Sequence, residues 1–331
     1  MILAVVGATG LVGQMMLRVL EEQQIQLDKL IPAASARSVG KTVTFRGEQI
    51  PVVSVEEAIA LKPHIALFSA GGKTSLQYAP LFAANGTYVI DNSSAWRRDP
   101  NVPLVVPEIN LHAIAKHHHI IANPNCSTIQ MVVAINPLYQ KYGIKRLVIS
   151  TYQSVSGTGV KGISQLENEM AGLPVTDPAY PHPIAMNVIP HGGDFEETGY
   201  TSEEVKLEFE TRKIMEAPEI AITSTVVRVP VKGGHSIAVN IEFEKAFELQ
   251  DVFELLNHCK GIIVVDDPSR NNYPMPLYVE NHDEVFVGRI RRDFSVKNGL
   301  NLWVVADNLR KGAATNAVQI ADFLIKSQMI S

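Results

Sequence analysis

Cysteine is nearly absent from this chain: Cys126 and Cys259 are the two among 331 residues. Two thiols close at most one disulfide. That excludes a disulfide-stapled scaffold and points to a reducing compartment with both thiols free. Positive charge is also in short supply. The 29 Lys and Arg are outnumbered by 34 Asp and Glu, giving a net charge of −5 with mixed signs. This argues against nucleic acid or an anionic membrane as the main partner. No apolar run reaches the roughly 18 residues of a membrane span, and neither repeats nor low-complexity tracts are present. The opening MILAVVGATG has no basic leader and meets Gly7 early, so it reads as a strand and not a signal peptide. A cytoplasmic protein is expected. What remains is 46% hydrophobic and 19% charged, an ordinary globular composition at a length suited to two domains.

The first half carries a phosphate-binding pattern. Ile2–Val6 is a short apolar run, as in a strand buried on both faces. Gly7, Gly10 and Gly13 follow, and the apolar spacing predicts a helix from Leu11 to about Glu22. Glycines between a strand and a helix let the backbone approach a pyrophosphate at the positive end of the helix. The spacing is Gly-x-x-Gly-x-x-Gly, so a plain turn stays open as the alternative. Leu30–Ala34 reads as the second strand, where an acid would hold the ribose of NAD. None stands at its end. Ser35, Arg37 and Ser38 stand there instead, a set that suits a 2′-phosphate and hence NADP. A solvated surface charge is the other reading of Arg37. The alternation continues with strands at Ile65–Ser69 and Tyr88–Asp91 and a helix from about Ser75 to Asn85. His64 is taken as structural.

The second half changes period. Leu147–Tyr152, Ile220–Val229 and Ser236–Phe243 alternate apolar and polar residues, which predicts an antiparallel sheet with one face covered by helices such as Val252–Cys259. Residues 172–194, rich in Pro, Gly and His, read as a loop excursion. A final helix over about Gly312–Gln328 is expected to pack on the first domain.

Two residues stand out chemically. Asn123-Pro-Asn-Cys126 leads into a helix predicted to run from Cys126 to about Tyr142. A thiol in the first turn of a helix loses its proton more readily, and the thiolate is the nucleophile. A small buried hydrophobe is the bland alternative. His235 follows Lys232-Gly-Gly234 at the start of a strand, and an imidazole with its ordinary pKa suits proton transfer near neutrality. His117, His118 and His119 read as solvated surface, without zinc-ligand spacing.

The chain resembles the aspartate-β-semialdehyde dehydrogenases, and looks most like the bacterial branch typical of Gram-positive organisms. The likeness rests on Val6 to Gly13 (Val-Gly-Ala-Thr-Gly-Leu-Val-Gly), Ala34 to Ser38, Leu67 to Gly71, Asp91 to Ser94, Val105 to Asn110, Asn123 to Gln130, Ser150 to Gly157, Arg228 to Val231 with Gly234-His-Ser236, and Phe286 to Arg291. Its implications are specific. The fold is an α/β, Rossmann-like NADP-binding domain over residues 1–125, completed by a C-terminal helix at about 310–331. Residues 126–309 form an α+β catalytic and dimerisation domain with a mainly antiparallel sheet. Cys126 is the nucleophile, His235 the acid/base, and Gln153 orients the substrate. Arg228 grips the substrate carboxylate, Glu203 its amino group, and Arg97 and Lys206 the phosphate, with Asn125 beside the thiol. On sequence alone, a surface ion pair on one helix face is the favoured reading of Glu203 and Lys206, ahead of a binding role. Gly7, Thr9, Gly10, Leu11, Val12, Gly13, Ser35, Arg37, Ser38, Ser69 and Gly71 belong to the cofactor site, with Ser156, Gly157 and Gln319 near the nicotinamide. The implied reaction is reversible phosphorylating oxidation of L-aspartate 4-semialdehyde by a homodimer using NADP and no metal. The stretch Pro190 to Gly193 departs from the family pattern. An N-acetyl-γ-glutamyl-phosphate reductase and a non-catalytic dinucleotide-binding relative are the alternatives.

Overall fold

The computed structural model describes residues 1–327, 329 and 330. In chain order the elements are β1 (Ile2–Val6), α1 (Leu11–Glu22), β2 (Lys29–Ala33), β3 (Thr42–Phe45), β4 (Glu48–Pro51), α2 (Val55–Ala60), β5 (Ile65–Phe68), α3 (Gly72–Ala84), β6 (Tyr88–Asp91), α4 (Pro107–Asn110) and β7 (Ile120–Ala122). Then come α5 (Cys126–Tyr142), β8 (Ile144–Gln153), α6 (Val160–Met170), α7 (Ser202–Met215), β9 (Ala221–Arg228), β10 (His235–Phe243), α8 (Leu249–Asn257), β11 (Ile262–Val264), α9 (Pro276–Val279), β12 (Val285–Asp293), β13 (Gly299–Ala306) and α10 (Thr315–Lys326). Contacts divide the chain into two compact units. One is residues 1–125 with the chain from Ala313 onward, and the other is Cys126–Gly312.

The first unit is built on a five-stranded parallel sheet in the order β2-β1-β5-β6-β7. Its central strands are buried along almost their whole length, as a sheet covered on both faces requires. α1 turns Met16, Leu17, Val19 and Leu20 inward and Gln14 and Arg18 outward. Each such apolar side chain contributes roughly 1.5–3 kcal/mol on burial. The strand order reverses between β1 and β5, the switch point where open α/β sheets bind ligands. His64 is structural: its Nδ1 accepts the N–H of Ile2 at 3.0 Å. α10 packs on α1 and β6 of this unit. The expected end of the last helix at Gln328, and the chain end at Ser331, lie outside the described residues. A turn of π-helix, Arg310–Ala314, precedes α10. Of the three adjacent histidines only His117 is exposed. His118 and His119 are half-buried, because His119 lies against the Tyr88 ring and His118 Nδ1 accepts the N–H of Ala115.

The second unit holds a six-stranded mixed sheet in the order β11-β12-β13-β10-β8-β9. Its centre is antiparallel. The run at 220–229 departs from expectation in direction, because β9 pairs with β8 in parallel, as β11 does with β12. Alternation records one-sided burial and carries no information on strand direction. α5 is buried nearly all round, packed between the sheet and helices α7 and α8. α7 begins with a capping box, Thr201 with Glu204, a strong local start signal. The 172–194 excursion is pinned by α6: Gln165 Oε1 accepts the N–H groups of Ala179 and Tyr180, and Glu169 Oε2 those of Ile184 and Ala185.

Candidate functional site

In the first unit the candidate site is made of backbone. A Cβ on Gly7 would stand 2.3 Å from the Ser69 carbonyl oxygen, and one on Gly13 2.1 Å from the Gly7 oxygen. Glycine is therefore required where the loops after β1 and β5 touch and where α1 closes on the first loop. Gly10 caps α1 without a side-chain hydrogen bond, so the first-turn N–H groups face outward for an anion. A cavity of about 900 Å³ opens beside this loop. Gly7, Thr9, Gly10, Ser35, Arg37 and Ser69 line it. Leu11, Val12, Gly13, Ser38 and Gly71 flank it: Ser38 takes a hydrogen bond from Thr9 Oγ1 at 3.3 Å, and Gly71 caps α3 at φ 83°. Thr74, Tyr78, Ser54 and Glu56 also line the cavity. Nothing local in the sequence marked them, since they come from α3 and the start of α2. Gln319 on α10 donates to Glu108.

Arg97 is buried in the same unit. Its Nε donates to the Asn123 carbonyl and one Nη to the Asn92 carbonyl, both at 2.9 Å. It thereby braces the Asn-Pro-Asn turn that leads to Cys126. Asn123 itself donates to Asn92 Oδ1 and accepts from Asn316, and Asn125 is buried.

The second unit supplies side chains, gathered at one end of its sheet. Gln153 ends β8 and faces Arg228, the last residue of β9, while His235 opens the antiparallel β10. Cys126 is the first residue of α5 and is half-buried. Next to it, the fully buried Ser127 hydroxyl accepts from Gln153 Nε2 at 2.9 Å, and Gln130 one turn on donates to the His235 carbonyl at 3.0 Å. Those two bonds bring the start of α5 to the ends of β8 and β10. Gly312 is a residue that sequence reasoning missed. A Cβ there would lie 2.9 Å from the Cys126 Cβ, so only glycine lets the π-turn pass the thiol-bearing residue. A π-turn has no clear local signature, although such bulges gather at functional sites.

Gly157 sits where Arg228 and His235 converge. Its missing Cβ would meet Arg228 Nη1 at 2.9 Å and His235 Nε2 at 3.1 Å. Arg228 Nη1 donates to the Ser154 carbonyl at 2.7 Å, and its guanidinium lies 5.8 Å from the Tyr180 ring centroid. His235 is completely buried. Desolvation, and then the Arg228 charge, lower its pKa to about 3, so the neutral-range titration expected of it is displaced far towards acid. Ser156 is buried beside it, bonded to Asn308. Glu203 and Lys206 form an ion pair at 2.6 Å on α7, each about one-fifth exposed. The Glu203 N–H donates to the Gly192 carbonyl. At Gly192 a Cβ would strike Val226 Cγ1 at 2.6 Å. The divergent Pro190–Gly193 stretch thus uses its glycines to pass between α7 and β9. Among the described residues no cluster of His, Cys, Asp and Glu forms a metal site, and no helix is long and apolar enough to cross a membrane.

The model described as the semialdehyde dehydrogenase NAD-binding domain matches residues 2–117, and that described as the semialdehyde dehydrogenase dimerisation domain matches 135–311. An aspartate-semialdehyde dehydrogenase of Aquifex aeolicus is 52% identical, covering 99% of this chain and 98% of its own. One from Legionella pneumophila is 51% identical over 97% of this chain and 94% of its own. The crystal structure of aspartate semialdehyde dehydrogenase II from Vibrio cholerae, also solved in complex with ASA, superposes with a TM-score of 0.94 at 46% identity, covering 98% of both chains.

Proposed function

We propose that this chain, which belongs to the aspartate-semialdehyde dehydrogenase family, catalyses the reversible NADP-dependent conversion of L-aspartate 4-semialdehyde and phosphate into L-aspartyl 4-phosphate. The observation that carries this reading is the arrangement around Gly157, where Arg228 and His235 share one small space at the sheet end that the Cys126 helix reaches.

The nicotinamide cofactor belongs to the first unit, the family's NAD-binding domain. When bound, it accepts or returns a hydride. The glycine loop and the open first turn of α1 suit its pyrophosphate. Arg37 in the cavity lining, with no acid ending β2, favours a 2′-phosphate.

Cys126 adds as a thiolate to the aldehyde carbon and holds the oxidised acyl group as a thioester, which stays reactive enough for phosphate to open. Its place in the first turn of a 17-residue helix favours the thiolate. Arg228 takes the substrate α-carboxylate through a two-pronged contact, Glu203 the amino group, and Arg97 and Lys206 the phosphate. Gln153, tied to Ser127, holds the substrate beside the thiol, and His235 serves the reacting oxygen. A cytoplasmic homodimer is part of the same reading, supported by the match of residues 135–311 to a dimerisation domain.

Phosphate-dependent reduction of NADP by the purified protein tests the proposal, with Cys126→Ala beside wild type. Wild type should turn over the semialdehyde only when phosphate is present, and the variant should lose about ten-thousandfold or more while still binding NADP. Preference for the N-acetyl-γ-glutamyl substrate would contradict it.

A further inference from the structure

The excursion at residues 172–194 reaches Arg228 twice. Near its end it bonds to the last residue of β9: the Ile189 N–H donates to the Arg228 carbonyl at 2.9 Å, and the Arg228 N–H to the Ile189 carbonyl at 2.8 Å. Its middle brings a ring. Tyr180 is buried, packed with Val155, Leu166, Ile184 and Ile189. The guanidinium carbon of Arg228 stands over that ring, 5.8 Å from its centroid. A cation at such a distance is attracted by the aromatic face, and more strongly where water is excluded.

The ring is itself tethered. Its hydroxyl shares a 2.8 Å hydrogen bond with Thr158 Oγ1, at the end of the short turn Val155–Thr158, and the Tyr180 N–H donates to Gln165 of α6 at 2.9 Å. A Cβ on Gly162, in the first turn of α6, would stand 2.9 Å from the Tyr180 hydroxyl and 3.2 Å from the Thr158 Cβ. Glycine is what lets these two side chains meet. The guanidinium is fixed a second time by Nη1, which donates to the Ser154 carbonyl at 2.7 Å. Its Nε, on another edge, is buried with no hydrogen-bond partner among the described residues. A bare buried donor calls for an acceptor. A planar cation held by one face and one nitrogen, with such a donor left on its edge, suits a planar carboxylate.

We propose that Tyr180 is a positioning residue: its ring, tethered by Thr158, fixes the plane of the Arg228 fork, so that Nε and the Nη beside it meet the substrate carboxylate together. This deepens, and rests on, the reading given under Proposed function. It gives the 172–194 excursion a task, which is to carry an aromatic face to the residue that selects aldehydes bearing a carboxylate. A free arginine side chain loses rotamer freedom when it takes a ligand, and one ordered beforehand does not.

Tyr180 also fills a small apolar cluster, so the test on the full chain separates aiming Arg228 from filling space. It compares L-aspartate 4-semialdehyde with 3-aminopropanal, which keeps the amine and lacks the carboxylate. In Tyr180→Leu the ratio of kcat/KM for the first aldehyde over the second should fall about tenfold, mainly through the KM of the semialdehyde. Tyr180→Phe keeps the ring and its volume but removes the tether, and should lower the ratio about threefold. It stays informative if Tyr180→Leu fails to fold. In ¹⁵N NMR of the Arg228 guanidinium, assigned by its loss in Arg228→Lys, rotation of the Nη groups should be slower in wild type than in either variant. Equal losses on both aldehydes would overturn the proposal, as would an unchanged ratio or unchanged rotation in the variants that fold. The spectrum needs no turnover, so an inactive wild type would remove the assigned reaction without blurring what Tyr180 does to Arg228.

Discussion

The two units solve opposite problems with opposite materials. In the first, the candidate cofactor cavity is lined by loop backbone, small residues and an exposed arginine. In the second, Gln153, Arg228 and His235 are nearly or fully removed from water, and each is held by another buried group. A dinucleotide presents phosphates that backbone N–H groups can meet in partly open solvent. A reacting carbonyl needs donors fixed where the dielectric is low. The cost of the second solution is a set of buried polar atoms, such as His235 Nε2 and Arg228 Nε, without hydrogen-bond partners among the described residues.

That contrast can be sharpened by substitution. The largest effect after loss of the thiol is expected at Arg228. Arg228→Lys keeps the charge but loses the planar fork, and should lower kcat/KM for the semialdehyde by about 10²–10³-fold, read by steady-state kinetics. Gly312→Ala would push its methyl into Cys126. It should lower kcat by about 10²-fold, the usual consequence of a misplacement of about 1 Å, with NADP affinity unchanged in a fluorescence titration. In the first unit Arg37→Ala should raise the KM for NADP about tenfold and leave NAD alone, since one exposed charge is at stake. An equal effect of Arg37→Ala on both cofactors would remove the 2′-phosphate assignment.

The smallest effect is on stability. His235 is depressed to about 3 in the folded protein against an ordinary 6.5. Above about pH 6.5 both folded and unfolded chains leave the imidazole neutral. As pH falls towards 3 the unfolded chain takes up a proton that the folded chain refuses, so stability is lost at up to about 1.4 kcal/mol per pH unit. Urea unfolding at about pH 7 and about pH 5 should therefore show a smaller drop for His235→Gln than for wild type.

The same contrast explains what could be read from the amino-acid order. α1 over Leu11–Glu22, β6 over Tyr88–Asp91 and α5 over Cys126–Tyr142 stand where periodicity and glycine or Asn-Pro punctuation put them, because those signals are local. The glycine loop is legible for the same reason. The direction of β9 was not, since burial alternates identically in parallel and antiparallel pairs. Nor was Gly312, which meets Cys126 from far along the chain. The displaced titration of His235 also escaped, because desolvation depends on what packs around the ring.

The most direct test of the central claim, a covalent acyl group on Cys126, is intact-mass and peptide mapping of wild-type protein after exposure to L-aspartyl 4-phosphate without reduced cofactor. The account predicts one added aspartyl group, on the peptide bearing Cys126 and released by phosphate. Turnover of the same substrate with no adduct at Cys126, or with the adduct at Cys259, would contradict it.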